Sequence, residues 1–423
     1  LMYDFQGLNY RKIADEIDVV SWDTYPLWDK YENIDVARDT GMQHDYMRSL
    51  KDKPFLLMEC CPSSTNWQGV SKLKKPGVLL SSSLQTIAHG SDSVQYFQIR
   101  QSRGSSEKFH GAVIDHYGGE TRVFKEISEI GMDLEKLSEI GNTKVNANVA
   151  LIYDVENRWA MEDAQGPRNK GLYYHESALK SYKALKNYGL DVDVISMEAE
   201  LSKYKVVVAP MLYMYREGIQ EKMENFVANS GILITTYWSG VVDENDLCFL
   251  GESPNKMVDV LGLRREEIDG LYDWESNGAI PVTNNSLGIS NEYTCKNLCE
   301  LVEVRNAEVL MTYSDDFYRG NAVLTCNEYK KGKAYYIGAD MGQDFYDDVY
   351  NKIFYVNNIE SLMKNLSKNV DVSSREDDNY KYLFLQNFGK DTVSINLPVG
   401  DVLIGNSKGK LEAFETIVLK IKI

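Results

Sequence analysis

Residues 54–59 read PFLLME, a short apolar run that ends in a carboxylate. Two similar runs flank it along the chain, IDVVSW at 17–22 and SVQYFQI at 93–99. Each run is nearly continuous rather than alternating, which is typical of strands in a parallel sheet covered on both faces. Apolar residues recur at helical spacing over 35–50 and 77–89, between these runs. The first part of the chain is therefore predicted to be α/β, in the order strand, helix, strand, helix, strand.

Polar and aromatic residues follow each predicted strand. They occupy residues 22–26, 59–67 and 100–110. The carboxyl ends of parallel strands meet at one edge of a sheet or barrel, and active sites form there. Glu59 is the sharpest candidate, because it ends an apolar strand and precedes a Pro- and Ser-containing loop.

On composition alone, Glu59 is explained equally well as a strand cap or as half of an ion pair. The neighbouring residues favour a binding site. Trp22, Tyr25, Trp67 and His110 are all expected at the same edge, and aromatic rings stack on the apolar face of a pyranose while polar groups read its hydroxyls. The pattern therefore points to a sugar site.

The rest of the chain predicts two further regions. Apolar strands alternate with amphipathic helices from about residue 147, which indicates a doubly wound parallel sheet. The strands are expected within 148–154, 191–197, 204–211 and 231–237. After about residue 370 the pattern changes to short alternating runs separated by Gly, Asn and Asp, as in a small antiparallel β-sandwich.

Composition narrows the possible partners. The chain has 423 residues, of which 43% are hydrophobic, and its net charge is −17. An excess of acidic residues argues against nucleic-acid or anionic-membrane partners, since binding to phosphates needs clustered Lys and Arg. No apolar run reaches the ~18 residues of a membrane span, and the opening residues lack a signal-peptide pattern. A cytoplasmic protein with a neutral substrate is expected.

No cofactor or metal is predicted. The sequence contains no dinucleotide-binding, Walker or serine-elbow motif. Its cysteines have no metal-ligand spacing and are expected to be free thiols. They are Cys60, Cys61, Cys248, Cys295, Cys299 and Cys326. Cys295 and Cys299 are four apart and would share a face if they lay in a helix.

The stretches IDVVSWDTYP, PFLLMECCPSSTNWQ, LQTIAHGSDSVQYFQIRQSRGSSEKFHGAVIDH and RVFKEI resemble the later barrel strands of glycoside hydrolase family 42 β-galactosidases. The resemblance implies an α/β fold. It is expected to contain part of a (β/α)8 TIM barrel at 1–142, a flavodoxin-like trimerisation domain at 143–366 and a small C-terminal β domain at 367–423. It further implies a β-galactoside substrate and a homotrimer.

The resemblance also assigns roles residue by residue. Glu59 matches the catalytic nucleophile of the family, and Tyr25 matches the tyrosine beside it. Trp67 matches a wall of the galactose subsite, while Glu107 and His110 match residues that hold galactose hydroxyls. A phenol that donates to a carboxylate keeps it ionised and aimed, as a nucleophile requires. From the residues alone, Glu107 reads as a surface charge and His110 as a capping residue.

This sequence departs from the family pattern in three places. Ile99 stands where tryptophan is expected, and Cys60 stands where glutamine is common. The third departure is an absence, since a retaining glycosidase needs a second carboxylate about 5–5.5 Å from the nucleophile. The resemblance places that acid/base, a Glu after Asn, upstream of the segment in this chain. The tripeptides at 291–293 and 327–329 read Asn-Glu-Tyr but fall in the second region, so they are rejected.

The sequence therefore predicts the C-terminal portion of a retaining β-galactosidase that is inactive by itself. A non-catalytic assembly fragment and a glycosidase acting on another pyranoside remain alternatives. For the trimer, aromatic residues near predicted strand and helix ends are candidate contacts, although core packing explains any single one better. They are Tyr173, Tyr174, Tyr213, Tyr215 and Trp238.

Overall fold

The computed structural model describes Tyr3, Phe5 and residues 7–423. It divides into two compact units. One comprises Leu1–Asn146, Gly189–Asp191 and Ser361–Ile423, and the other comprises Ala147–Tyr188 and Val192–Glu360. The early strands and the C-terminal strands thus belong to one unit, and the middle of the chain forms the second. The three-domain boundaries expected from the sequence stay a prediction.

The first unit begins with alternating helices and strands. In chain order they are α1 (Tyr10–Asp15), β1 (Ser21–Asp23), α2 (Asn33–Ser49), β2 (Phe55–Cys60), α3 (Val78–Ala88), β3 (Ser91–Tyr96) and α4 (Arg122–Lys136), with a 3₁₀ turn at Ser138–Ile140. The predicted order of strands and helices is present. The first strand is shorter than expected, because Val19 is half exposed and lies outside the ladder.

Strands β1, β2 and β3 form a parallel sheet with β2 in the middle. Phe55 and Leu57 are buried on one face of β2, whereas Met58, on the other face, is 45% exposed. Helix α3 contributes Leu84, Ile87 and Ala88 to the hydrophobic core of this unit. The same core contains Phe384 and Val418 of the C-terminal strands, and burial of a Leu, Ile, Phe or Val side chain is worth about 1.5–3 kcal/mol.

Helix α3 begins at a glycine for a steric reason. Gly77, its N-cap, has φ +86°, a conformation that residues with a Cβ rarely adopt. The Gly77 amide donates to Glu126 of α4 at 2.9 Å. The start of α3 is therefore tied to the neighbouring helix.

The second unit contains β4 (Val149–Ile152), α5 (Val155–Asp163), α6 (Tyr174–Tyr188), β5 (Asp193–Ile195), β6 (Val206–Ala209), α7 (Ile219–Ala228), β7 (Ile232–Thr236), α8 (Val258–Leu261), β8 (Leu263–Gly270), β9 (Asn277–Pro281), β10 (Tyr293–Val304), β11 (Glu308–Tyr313), β12 (Ala322–Tyr329), β13 (Gly332–Ile337), β14 (Ala339–Met341) and α9 (Gln343–Val356), with a 3₁₀ turn at Asn255–Met257. Every residue of β4, β6 and β7 is buried, as expected for central strands of a covered parallel sheet.

The sheet of this unit is mixed, so the expected purely parallel sheet is wrong for its second half. Strands β5, β4, β6, β7 and β13 are parallel neighbours in that order. The sheet continues through antiparallel β12, β11, β9 and β10, with β14 and β8 both paired to β10. Short connections explain the change, since two residues join β12 to β13 and only antiparallel strands accept so short a turn.

The structure differs from two sequence expectations in this unit. Cys295 and Cys299 lie in strand β10 rather than on a helix face, and both are buried. All six cysteines of the chain are free thiols. Of the aromatic residues expected at an interface, Tyr174, Tyr213, Tyr215 and Trp238 are buried, and Tyr173 is exposed. Their rings pack in the core because the strand ends of this sheet are covered.

The C-terminal region returns to the first unit as antiparallel strands. They are β15 (Val370–Glu376), β16 (Tyr380–Asn387), β17 (Val393–Ser394), β18 (Asp401–Ile404), β19 (Lys410–Leu411) and β20 (Thr416–Lys422). Four form a sheet in the order β15, β16, β20, β18, and β17 pairs with β19. A C-terminal antiparallel β domain is therefore confirmed. Strand β15 was not anticipated, because its polar sequence VDVSSRE lacks alternation.

Arg375 of β15 is the polar link between this sheet and the helices of the first unit. Its fully buried guanidinium donates to the backbone oxygens of Ser91 at 2.7 Å, Thr143 at 2.9 Å and Ile87 at 3.2 Å. It also pairs with the Asp92 carboxylate at 2.7 Å. The Arg375 side chain thus donates to backbone carbonyls at the end of α3, at the start of β3 and in the segment after α4.

Replacing Arg375 with Met is expected to destabilise the first unit by about 3 kcal/mol, because several buried carbonyls lose their donor. Denaturant unfolding followed by fluorescence measures the change. Arg103→Met is the control, since Arg103 is exposed and its loss is expected to stay within about 0.5 kcal/mol. Equal stability of the two variants would contradict the role given to Arg375.

Candidate functional site

Glu59 lies at the carboxyl end of β2, the central strand of the parallel sheet. Tyr25 follows β1, and its hydroxyl donates a hydrogen bond to the Glu59 carboxylate. The backbone amide of Thr24 donates to the Glu59 carbonyl at 3.0 Å, which continues the pairing of the two strand ends. Burial, together with the hydrogen bond to Glu59, raises the pKa of Tyr25 well above its usual range. The phenol therefore stays protonated and remains a donor.

Two further rings surround Tyr25. Trp67 contacts it edge to face with the ring centres 5.1 Å apart, and His110 does so at 5.8 Å. Trp67 is 52% exposed, so one part of its indole is open to solvent. Glu59, Tyr25, Trp67 and His110 are thus brought together, as the sequence predicted. Trp22 was expected beside them, which is wrong, because its ring is fully buried and packs edge to face on His44 of α2.

His110 is buried beneath this group. Its ring packs edge to face on Phe97 at 5.1 Å. Both ring nitrogens are buried, and neither has a hydrogen-bond partner among the described residues. An unsatisfied buried polar group costs about 1–3 kcal/mol, so this imidazole has unused hydrogen-bonding capacity next to the carboxylate. Burial lowers the pKa of His110, against the opposing charges of Glu107 and Glu59.

Glu107 lies at the rim of the site. It is exposed, and its backbone carbonyl accepts the His110 amide at 2.9 Å in a turn. Its carboxylate is close enough to His110 to influence that pKa. The turn that joins Glu107 to His110 therefore brings an exposed carboxylate near a buried imidazole.

Asp23 is a residue that the sequence reasoning missed. It ends β1 and pairs in register with Glu59 across the parallel ladder. Burial raises the pKa of Asp23, and the negative charge of Glu59 contributes to the rise. Its position at the end of a predicted strand, directly before Tyr25, was the available signal.

Cys60 is not a competing nucleophile, although it follows Glu59 directly. Burial raises the pKa of the Cys60 thiol to about 12, so the thiolate is scarce near neutral pH. Its sulfur lies 3.3 Å from the backbone oxygen of Gln95, to which the thiol donates. The Cys60 thiol is therefore protonated near neutral pH.

A cavity of about 700 Å³ opens on the other side of Tyr25 and Trp67. It extends between the sheet and the helices to Leu57 and His44. Tyr25 and Trp67 line this cavity, whereas Glu59 and His110 do not.

Across Tyr3, Phe5 and residues 7–423, no cluster of three His, Cys, Asp or Glu residues is arranged to hold a metal ion. Within the same residues, no helix is long and apolar enough to cross a membrane. The cytoplasmic location stays a prediction.

Both Asn-Glu-Tyr tripeptides lie in the second unit, where Asn327 donates to backbone carbonyls and Tyr293 donates to Asp348.

Three family models match consecutive parts of the chain. The model described as Beta-galactosidase matches residues 1–137, the Beta-galactosidase trimerisation domain matches 147–360, and the Beta-galactosidase C-terminal domain matches 369–420. The chain belongs to glycoside hydrolase family 42. The resemblance seen in the sequence is thereby confirmed.

Individual relatives agree with this family. The chain is 46% identical to a β-galactosidase from Clostridium perfringens over 99% of its own length and 62% of the relative. It superposes on the β-galactosidase from Rahnella sp. R3 with a TM-score of 0.97 and 45% identity, covering 100% of this chain and 63% of that one. A catalytic mutant of the family 42 β-galactosidase Gan42B from G. stearothermophilus gives a TM-score of 0.94 at 38% identity, covering 100% and 63%. The family 42 chain thus spans about 60% of the length of these relatives.

The electrostatics of the site predict the titration of His110. Its NMR titration midpoint is expected below the ordinary 6.5, and Glu107→Gln is expected to lower it further because a nearby negative charge is removed. Since the pKa is depressed in the folded state, the contribution of His110 to stability is present above pH 6.5 and is lost as the pH falls through the folded value.

The matched control for this titration is Glu120→Gln, which removes an exposed carboxylate from the same segment. The His110 signal is assigned by its disappearance in His110→Asn. A midpoint above 6.5, or one that Glu107→Gln leaves in place, would refute the arrangement described for this site.

Proposed function

We propose that this chain is the C-terminal portion of a retaining β-galactosidase and that Glu59 is its nucleophile. The hydrogen bond from Tyr25 to Glu59 carries the proposal. It aims one carboxylate oxygen and favours the ionised form that attack requires. The family supplies the reaction class, since the relatives are β-galactosidases and one solved relative is a catalytic mutant in which alanine replaces a glutamate.

In this proposal the reaction has two displacements. Glu59 attacks the anomeric carbon of a terminal β-galactosyl residue, and the aglycone leaves with a proton from a general acid. Water then attacks the glycosyl ester, the same residue takes its proton, and galactose leaves with Glu59 restored. The acid/base is a Glu outside this chain, as the family resemblance implies. Protonation of the leaving group contributes about 10²–10⁴-fold, so the chain alone is expected to turn over slowly.

The other side chains account for sugar recognition. The exposed part of Trp67 offers a face for the apolar side of galactose. The exposed carboxylate of Glu107 accepts from sugar hydroxyls at the rim. His110 has both ring nitrogens unpaired and buried, and a hydroxyl of the sugar would satisfy one of them once the side chains that cover the ring shift. The three residues are therefore proposed as the substrate-binding groups.

We also propose that β1, β2 and β3 are the last strands of a (β/α)8 barrel. Within the described residues, β1 and β3 are both edge strands of a parallel sheet. Met58 exposes an apolar side chain on the face opposite the helices. Open edges and a bare apolar face are the features that further barrel strands would cover.

An activated substrate tests the nucleophile without the missing acid. A 2,4-dinitrophenyl 2-deoxy-2-fluoro-β-galactoside has a leaving group that departs unprotonated, and its fluorine slows hydrolysis of the ester. Incubation with the chain is expected to add one fluorogalactosyl group, which peptide mass spectrometry locates on Glu59. An alkyl β-galactoside, which needs the acid, is expected to be hydrolysed hardly at all.

Glu59→Gln is the matched control and is expected to remain unlabelled. Label on Asp23 or Glu107, or no label on a folded chain, would contradict the proposal and favour the assembly-fragment alternative. Labelling by the glucosyl or mannosyl analogue instead of the galactosyl one would favour another pyranoside.

We further propose a homotrimer held together by residues 147–360, the part that matches a trimerisation domain. This unit exposes the stacked pair Tyr272 and Trp274, whose ring centres are 4.8 Å apart. Asp273, which stands between these two residues in sequence, forms an ion pair with Arg168. Trp, Tyr and Arg carry much of the energy of protein interfaces, so this surface favours contact with a second copy.

Light scattering of the purified chain is expected to give three times the monomer mass of 48.2 kDa. Trp274→Ala is expected to shift this assembly towards monomer, whereas Tyr355→Ala, which removes another exposed ring from the same unit, is expected to leave it intact. A monomeric parent chain would contradict the trimer, and a trimeric Trp274→Ala would contradict only the surface.

A further inference from the structure

Lys74 holds the loop that follows Glu59. This loop, residues 61–74, follows β2, and the side chain of its last residue, Lys74, contacts the first residues of the loop. The Lys74 ammonium donates to the backbone carbonyls of Cys61 at 2.6 Å and Ser63 at 3.0 Å. It forms no ion pair with a carboxylate among the described residues, although desolvation lowers its pKa. Lys74 is partly buried, and the two carbonyls replace part of the hydration of its ammonium.

Lys74 is itself fixed from the helix side. Its backbone carbonyl accepts from the guanidinium of Arg122 at 3.1 Å. Arg122 pairs with Glu126 one turn later in α4 at 2.8 Å. The loop that follows Glu59 is thus anchored to helix α4.

Gly111 joins the loop to the segment that carries His110. The Gly111 amide donates to the Ser64 carbonyl at 2.8 Å. A Cβ at Gly111 would lie 2.0 Å from the Ser63 hydroxyl and 2.9 Å from both the amide nitrogen and the carbonyl oxygen of Ser64. The hydroxyl can rotate away, but the backbone of Ser64 cannot, so only glycine allows this approach.

A second contact supports the same junction. The Asn66 side chain donates to the Ser106 carbonyl at 2.7 Å. The His110 carbonyl in turn accepts from Gln101 at 2.9 Å. The two loops are therefore connected on both sides of the turn that contains Glu107.

We propose that Lys74 and Gly111 are positioning residues that set His110 and Trp67 around the Tyr25–Glu59 pair. This inference rests on the proposed function of that site. Neither residue touches the carboxylate. Lys74 shapes the loop that bears Trp67, and Gly111 fixes the residue next to it, His110, at the distance where its ring meets Tyr25.

Hydrogen exchange of the unaltered chain is the first test. The Gly111 amide is expected to be protected, on the order of tenfold or more against Gly104, which lies in the same segment with open space around it. If the Gly111 amide exchanges as fast as that of Gly104, the contact between Gly111 and Ser64 is refuted in the unaltered chain itself.

Substitutions give the second test. Gly111→Ala is expected to raise the NMR titration midpoint of His110 towards its ordinary value, because the ring loses its burial, and to weaken galactose binding by about tenfold. Gly104→Ala is the matched control and is expected to change neither quantity. Circular dichroism verifies that each variant is folded.

The Lys74 variants are judged by exchange at Gly111, because the charge of Lys74 itself lowers the pKa of His110. Lys74→Met is expected to speed that exchange by about tenfold, and Lys74→Arg, which keeps donors and charge, to restore most of the protection. Lys75→Met removes the neighbouring exposed lysine and is expected to have no effect.

The two proposals fail separately. Absence of galactose binding by the unaltered chain would count against the proposed function. Hydrogen exchange at Gly111 and the titration of His110 would still test the positioning role of Lys74 and Gly111. Normal exchange in Lys74→Met, or an unchanged His110 midpoint in a folded Gly111→Ala, would overturn the positioning and leave the nucleophile assignment standing.

Discussion

The first unit depends on a buried guanidinium. Arg375 reaches from the C-terminal sheet to the end of α3 and the start of β3, where its guanidinium donates to the backbone carbonyls of Ile87, Ser91 and Thr143. Hydrophobic contacts between α3 and the C-terminal sheet are non-directional, whereas the planar guanidinium of Arg375 donates in fixed directions and so fixes where the helix ends. Strand β3, which pairs with the strand that ends in Glu59, is therefore positioned partly by a residue that lies 284 positions beyond Ser91 in sequence.

A second buried ionic group strengthens the same connection. Arg38 of α2 pairs with Asp371 of β15, and its guanidinium also donates to the Val370 carbonyl at 3.1 Å. Asp45 of α2 pairs with His89, the residue that ends α3, at 2.9 Å. Buried ion pairs add little net stability compared with apolar packing, but removing one partner is costly, so they favour one arrangement of the helices.

The site combines the Glu59 carboxylate with groups held in defined protonation states. Tyr25 remains a phenol because its pKa is raised, and His110 remains neutral because burial lowers its pKa. Asp23 adds a second carboxylate beside Glu59. The imidazole nitrogens of His110 have no hydrogen-bond partner among the described residues, and the indole of Trp67 is half exposed.

The sequence by itself determined the local features. Apolar continuity gave β2, β4, β6 and β7, and the position of Glu59 after PFLLM placed a carboxylate at a strand end. Contacts between distant segments were decided by the tertiary structure. The antiparallel half of the second sheet, strand β15 and the pairing of Asp23 with Glu59 depend on strand register, which local periodicity does not encode. The burial of His110 and the fit of Gly111 against Ser64 likewise arise only when two loops meet, because packing distances are properties of the folded chain.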